Sequence, residues 1–192
     1  MTVSTYAKNN FLNGQGFDAV SLHDGFPGTT GTNEISGGSY ARQTLVVAAS
    51  SGGSRSAAGS YTFSVPACTV RWLGFWYLGN FLFGLPNGGA VPKNFSAALD
   101  TDIVWSTAHG FSDTQKIAFY QGTPPAPIAE GDTVFVRDAT THGYKVAATS
   151  GGVALNLTAG ASVGCWMAAI TETVYASPST HILSAATFAM VD

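Results

Sequence analysis

Four histidines, a few carboxylates and many serines are the groups in this chain that could do chemistry. The histidines are His23, His109, His142 and His181. None stands at metal-ligand spacing from another His or from a Cys. His23 and Asp24 are adjacent, but neighbours on a strand point to opposite faces, so they cannot form a joint site there. A histidine satisfied by loop carbonyls is the expected role of His23. A Ser-His-Asp set can always be drawn in so serine-rich a chain, yet most candidate nucleophiles fall in low-complexity loops such as Ser50–Ser60. No hydrolase elbow is expected. Asp100 and Asp102 would share a strand face, as a glycosidase pair requires of its carboxylates to flank one sugar, but both adjoin an expected linker. Gly14-x-Gly16 lacks the continuation of a nucleotide loop. These residues predict no catalytic group, no metal and no cofactor, and hence a protein that is not an enzyme.

Composition narrows the alternatives. The chain has 192 residues, of which 45% are apolar and only 10% charged, against about 25% charged in ordinary soluble domains. Such a chain buries a core easily and has little charge to solvate its whole surface, which suggests that partners cover part of it. The net charge is −3 and the eight basic residues are scattered, which argues against nucleic acid and against an anionic membrane surface. Met1–Gly16 lacks the apolar core of a signal peptide, so synthesis in a cytoplasm is expected. The most apolar stretch, Trp72–Leu85, is shorter than the roughly 20 residues of a membrane span. Cys68 and Cys165 are isolated, and buried free thiols are the expected state, with a disulfide left open.

The elements that must position these groups read as strands. Val3–Leu12 is the only helical pattern, with Ser4 or Thr2 able to cap it and Asn13-Gly14 able to end it. Beyond it the period is two. Strands are predicted at Asp18–His23, Thr44–Ala49, Tyr61–Val65 and Val70–Trp76. After a linker from Pro86 to Lys93 they continue at Asp102–Trp105, Lys116–Tyr120, Thr133–Arg137, Tyr144–Ala147 and Ala154–Leu157. The closing runs are Trp166–Tyr175 and His181–Val191. Gly, Ser, Thr, Asn and Pro punctuate them, which predicts an all-β sandwich or barrel. Parity places Trp72 and Trp76 with Gly74 on one face, and Leu73, Phe75 and Tyr77 on the other. Both faces are apolar, so the strand must be covered on two sides, by another sheet and by a neighbour. Trp72, Phe75, Trp76, Tyr77, Phe81 and Phe83 are candidates for core packing, for an intersubunit surface or for sugar stacking.

The stretch Val20–Leu45 contains Leu22, His23, Pro27, Gly28, Gly31, Asn33, Glu34, Gly37, Gly38, Tyr40 and Arg42 in a detailed spacing. It closely resembles a motif in tail fibre and minor tail proteins of long-tailed bacteriophages. The likeness continues through Tyr61–Pro66 and Val70–Trp76. It departs where many relatives carry Thr-x-Asp-Pro-Gly, since Asp24-Gly25-Phe26-Pro27-Gly28 stands here, so any binding preference of that loop does not carry over. Thr107–Phe111, the Pro-rich loop, Glu130–Thr133 and Tyr144–Leu157 resemble a small β module that recurs in phage and bacterial surface proteins. Glu172–Val191 resembles the closing strands of the first family. The resemblance therefore implies a discontinuous jelly-roll-like sandwich, residues 1–91 with 166–192, interrupted by a small β domain at 92–165.

The resemblance implies a virion structural protein, tail-associated or decorating the capsid, that packs against itself and against tail or major capsid proteins. A homo-oligomer is expected, with a trimer favoured by analogy. The alternative is a receptor- or glycan-binding module, with Trp105, Phe119, Tyr120 and Tyr144 as the aromatics to examine. The loop can also be read without the family. Glycines at 28, 31, 37 and 38 permit tight turns. Asn33 and Glu34 can satisfy backbone groups, and Arg42 can tether the loop through Glu34 or Asp24. His23, Asp24, Gly28, Gly31, Asn33, Glu34, Gly38, Tyr40 and Arg42 thus form the expected structural loop motif.

Overall fold

The computed structural model describes residues 14, 16–51, 54–184 and 187–189. The expected helix at Val3–Leu12 lies outside these residues. Among the described residues every element is a strand, and every sheet is built on antiparallel pairs. The chain divides into two compact units, residues 1–85 with 172–192, and residues 86–171.

The first unit contains β1 (Ala19–His23), β2 (Gln43–Thr44), β3 (Ser54–Ser56), β4 (Tyr61–Val65), β5 (Cys68–Val70), β6 (Trp72–Tyr77) and β7 (Asn80–Pro86). After the second unit come β14 (Thr173–Tyr175), β15 (Ser179–Leu183) and β16 (Thr187–Ala189). One sheet has the order β2-β1-β6-β7, and the other strands pair two by two as β5/β14, β4/β15 and β3/β16. Residues 54–70 thereby run against residues 173–189 in three stretches, from Ser54 opposite Ala189 to Val70 opposite Thr173.

Alternation explains β4: Phe63 and Val65 are buried while Thr62 and Ser64 are exposed. They join Val20, Leu22, Val70, Leu73, Phe75 and Leu183 in one core, so the sheet and the paired strands share it. Val70–Trp76 is not one strand, as its pattern predicts. The chain changes partner at Arg71, with β5 on β14 and β6 on β1, and the Arg71 N–H donates to the His23 carbonyl at 2.9 Å. The predicted strand Thr44–Ala49 also stops early. Beyond Thr44 the Val46 N–H donates to the Tyr61 hydroxyl at 3.0 Å, its carbonyl accepts from that hydroxyl and from the Ala58 N–H, both at 2.8 Å, and pairing continues only as the isolated Val47–Ala57 bridge.

The second unit holds β8 (Ser96–Ala98), β9 (Ile103–Trp105), β10 (Lys116–Tyr120), β11 (Thr133–Arg137), β12 (Gly143–Ala147) and β13 (Trp166–Ala169). They form one sheet of order β13-β10-β11-β12-β9-β8. Its core gathers Val104, Ile117, Phe119, Val134, Val136, Tyr144, Val146, Leu157 and Met167. The sequence reading puts residues 166–171 and 86–91 with the outer unit. The pairing of β13 with β10 draws the first group inward, and the Lys93–Met167 bridge ties the other end of the insert beside it. Ala154–Leu157 contributes only an isolated bridge, Ala154 to Ala147, rather than a strand.

The ends of the insert are clipped to each other. The Thr171 N–H donates to the Asn87 carbonyl at 2.8 Å, and Asn87 Nδ2 donates to the Thr171 carbonyl at 2.9 Å. Closely spaced ends let a domain sit within another chain at small entropic cost. Residues 86–171 expressed alone should therefore give their own cooperative thermal transition. The chain with 86–171 replaced by a short Gly-Ser link should keep the other. Calorimetry reads both, and the absence of a cooperative transition in either product would refute independence.

Candidate functional site

The densest polar arrangement lies where β1 ends and the motif loop begins. The chain leaves His23, turns at Pro27–Thr32, and returns beside itself. Asp24 N–H donates to the Asn33 carbonyl at 3.0 Å and Ile35 N–H to the Leu22 carbonyl at 2.9 Å. The Pro27 carbonyl accepts from the N–H groups of Gly31 and Thr32, both at 2.9 Å. Asn33 sits at φ 58° and its amide donates to the Phe26 carbonyl at 2.8 Å. Asn is among the few side chains that tolerate this left-handed conformation. Gly28 and Gly38 also have positive φ, 59° each. Asp24 is exposed and contributes its carbonyl, which accepts from Arg71 Nη1 at 2.7 Å; Arg71 also pairs with Glu172 at 2.9 Å.

Behind the loop runs a buried chain of side-chain hydrogen bonds. Thr32 offers a carbonyl, which can only accept, so His23 Nδ1 carries the proton that binds it at 2.7 Å. In the neutral ring Nε2 is then the acceptor, and Ser21 Oγ donates to it at 2.7 Å. Ser21 Oγ in turn accepts from Trp76 Nε1 at 2.7 Å. Burial lowers the His23 pKa below its ordinary value; the Thr32 carbonyl, Glu34 and Asp24 oppose that shift and Arg42 adds to it. A serine donating to a neutral imidazole is the first half of a nucleophilic site. Here Ser21 and His23 are both 0% exposed, so no substrate can reach the hydroxyl.

Glu34 and Arg42 close the loop from outside. Arg42 Nε and Nη2 meet the Glu34 carboxylate at 3.0 and 2.7 Å, a two-pronged pair. Of the two carboxylates that could tether Arg42, Glu34 is the one engaged. The guanidinium also stacks on Trp76, with Cζ 3.3 Å from the ring centroid. The Tyr40 hydroxyl accepts from the Leu22 N–H at 2.8 Å and lies 3.3 Å from Glu34 Oε1. Burial pushes its phenol well above the usual range, so it stays neutral. Arg42→Ala removes the paired and stacked contacts together. It should cost about 1–2 kcal/mol and lower the melting temperature of the first unit by about 4–8 °C. Limited proteolysis should show faster cleavage within residues 24–42, and unchanged melting and cleavage would refute the tether.

The same loop settles what covers β6. Leu73 and Phe75 enter the core, and Trp72 and Trp76, 1% and 5% exposed, occupy the opposite face. Phe26 packs edge-on to Trp72 at 5.0 Å, and Phe81 edge-on to Trp76 at 5.0 Å. A Cβ at Gly31 would overlap Trp76. The expected neighbour on this face is thus the protein's own loop and hairpin. Phe83 stacks on Phe75 at 5.1 Å, while Tyr77 is exposed.

In the second unit Phe119, Tyr120 and Tyr144 are at most 1% exposed. They cannot be the surface-binding aromatics expected of them, because Phe119 and Tyr144 lie in the core of the unit and Tyr120, the neighbour of Phe119 on β10, is equally buried. Trp105, 45% exposed, does reach the surface. His109 is buried against Tyr144 at 4.9 Å and its Nδ1 accepts from the Phe111 N–H. His142 Nδ1 accepts from the Ala108 N–H, and His181 Nδ1 contacts the Tyr175 hydroxyl at 3.0 Å. Asp102 sits at φ 57° and accepts from the Leu157 N–H, whereas Asp100 is exposed.

One match to the hydrolase pattern escapes the sequence reading: Gly160-Ala161-Ser162-Val163-Gly164 spells Gly-x-Ser-x-Gly. Its surroundings differ from an elbow. The segment is a turn leading into a strand, and Ser162 Oγ accepts from the Thr123 N–H at 2.8 Å. Among the described residues no three His, Cys, Asp or Glu converge as metal ligands, and no helix is long and apolar enough to cross a membrane. Cys68 and Cys165 are free thiols, and burial pushes the Cys165 pKa up to about 11. Compared with protein-family models, curated proteins and solved structures, the chain finds no match in any of the three.

Proposed function

We propose that this chain is a non-enzymatic structural protein of a bacteriophage particle, tail-associated or capsid-decorating, that acts by docking. The observation that carries the proposal is Leu78. It sits at the tip between β6 and β7, 73% exposed, with φ 48°, followed by Gly79 at φ 78°. Two successive left-handed residues make the tight hairpin turn that favours Asn-Gly. A leucine there costs roughly 1–2 kcal/mol of backbone strain and places an apolar side chain in water. Tyr77 and Leu82, 43% and 40% exposed, stand beside it in sequence. An apolar side chain kept in a strained, exposed position suggests a surface that is covered on assembly. The low charge and the motif loop, which stiffens the sheet beneath, support the same reading.

In this proposal the four-stranded sheet and the paired strands of the first unit face each other as a jelly-roll-like sandwich. Their shared core favours it. Self-association, with a trimer as the working stoichiometry, and contact with tail or major capsid proteins follow as parts of the same hypothesis.

Leu78→Asn separates docking from folding. It should stabilise the isolated chain by about 0.5–1 kcal/mol and at the same time reduce recovery of the protein in purified particles. Quantitative immunoblotting of particles, with gold labelling to locate the protein, reads the second effect. Absence of the chain from particles, or normal incorporation of Leu78→Asn, would overturn the proposal.

A further inference from the structure

Trp105 is the aromatic side chain of the second unit that its own sheet presents rather than buries. It ends β9 and lies opposite Gly143 of β12. A Cβ at position 143 would come within 3.1 Å of indole atoms Cε3 and Cζ3. The ring therefore rests over bare backbone, seated in place, with 45% of the residue still exposed. Bare backbone below and solvent above make a fixed aromatic plane.

The plane borders a cleft of about 130 Å³ whose wall includes Asp138, Thr140 and Lys145. Asp138 has a left-handed backbone, φ 52°, and its carboxylate is held by Arg137 Nε at 3.1 Å. Its side chain remains 56% exposed, so lone pairs are left for a ligand. The Thr140 hydroxyl is already engaged, donating to the Gly143 carbonyl at 2.8 Å and accepting from the Gly143 N–H at 3.0 Å. Thr140 thus pins the turn and shapes the wall. A wider open depression of about 390 Å³, lined by Ala108, Gly110, Phe111 and Thr141, shares Thr140 with the cleft. The two adjoin at Thr140, within the second unit.

We propose that this cleft binds one pyranose ring of a neutral oligosaccharide, whose next residues lie along the wider depression. A pyranose presents a C–H face that stacks on an indole. It carries adjacent hydroxyls that donate to one carboxylate, and oxygens that accept from an ammonium such as Lys145. Trp105, Asp138 and Lys145 supply these three groups around a space of about one ring. A purely apolar ligand would desolvate Lys145 and the outward side of the Asp138 carboxylate without offering either a hydrogen bond. A nucleotide would bring its phosphate beside the Asp138 carboxylate with Lys145 as the one uncommitted cation among the described residues of the wall, since Arg137 is engaged with Asp138 and the Gly152 carbonyl. The proposal goes beyond the docking role and does not depend on it.

The test titrates the full chain with maltohexaose, cellohexaose and chitohexaose by calorimetry and tryptophan fluorescence, alongside a glycan array. Saturable binding of at least one neutral glycan is expected, with Kd in the range of about 10⁻⁴–10⁻³ M. Trp105→Ala and Asp138→Asn should each weaken it at least tenfold without moving the melting temperature. Gly143→Ala, which displaces the indole yet keeps it, should weaken it several-fold. Saturable binding that both Trp105→Ala and Asp138→Asn leave intact would overturn the assignment. So would no saturation by any array glycan, or a protein ligand alone depending on Trp105. Normal incorporation of Trp105→Ala into particles distinguishes failure here from failure of the docking role.

Discussion

Gly74→Ala should lower the melting temperature of the first unit by more than about 12 °C while leaving the transition of residues 86–171 in place. Gly74 is in the middle of β6, paired with Ser21 of β1. A methyl group there would overlap His23 Nε2 and Ser21 Oγ. Neither atom is the free end of a flexible chain. Both residues are buried and bonded to each other, His23 also to the Thr32 carbonyl through Nδ1 and Ser21 Oγ also to Trp76 Nε1. Relief requires breaking at least one of those bonds or parting β1 from β6. The first course leaves a buried polar group unpaired and the second opens the core, so a cost of about 3 kcal/mol or more is expected. Calorimetry of the full chain checks both halves of the prediction. Gly74→Ala with His23→Asn should recover part of the loss, because the shorter side chain vacates the Nε2 position. Strictly additive losses would contradict the proposed overlap.

His23→Leu should destabilise the first unit by about 2–4 kcal/mol and flatten its response to acid. Leucine fills much of the volume but strands the Thr32 carbonyl and leaves Ser21 Oγ only the more distant Gly74 carbonyl, at 3.3 Å, as acceptor. His23→Asn should lose less, since its amide can still donate to Thr32. The sign of the pH effect follows from the lowered pKa. In the unfolded chain the imidazole takes a proton near its ordinary value of 6.5, and in the folded chain only at lower pH. The stability it contributes is therefore complete above about pH 6.5 and is lost as the pH falls from there through the folded pKa. The slope reaches at most about 1.4 kcal/mol per pH unit for one histidine. His181, also lowered by burial, acts with the same sign. Denaturant melts between pH 7.5 and 4.5 should show the wild type losing stability faster than His23→Leu. Parallel curves would exclude His23 as a source of the acid sensitivity.

Neither variant touches the cleft at Trp105, which belongs to the other unit. A glycan titration of His23→Leu at neutral pH should therefore match the wild type as long as residues 86–171 stay folded. The two halves of the chain, one stiffened by a buried polar chain and one carrying an exposed indole, can be perturbed separately.

Sequence alone determined the strand class, because alternation and turn residues are local signals. Tyr61–Val65 shows its buried and exposed sides directly, and Trp72–Tyr77, apolar on both faces, announces that both must be covered. It also determined that the loop after His23 needs glycines, Asn33 and a charge pair, since an irregular backbone must be satisfied by its own side chains. Tertiary structure alone decided what covers Trp76, because the contact joins Gly31 and Arg42 to a strand more than thirty residues away. It decided that Val70–Trp76 divides at Arg71 and that Trp166–Tyr175 is shared between two units, since a run of apolar residues carries no record of its partners. It separated Trp105 from Phe119, Tyr120 and Tyr144 as well. Aromatic identity is the same signal in a core and on a surface, and only the packing over each strand face tells them apart.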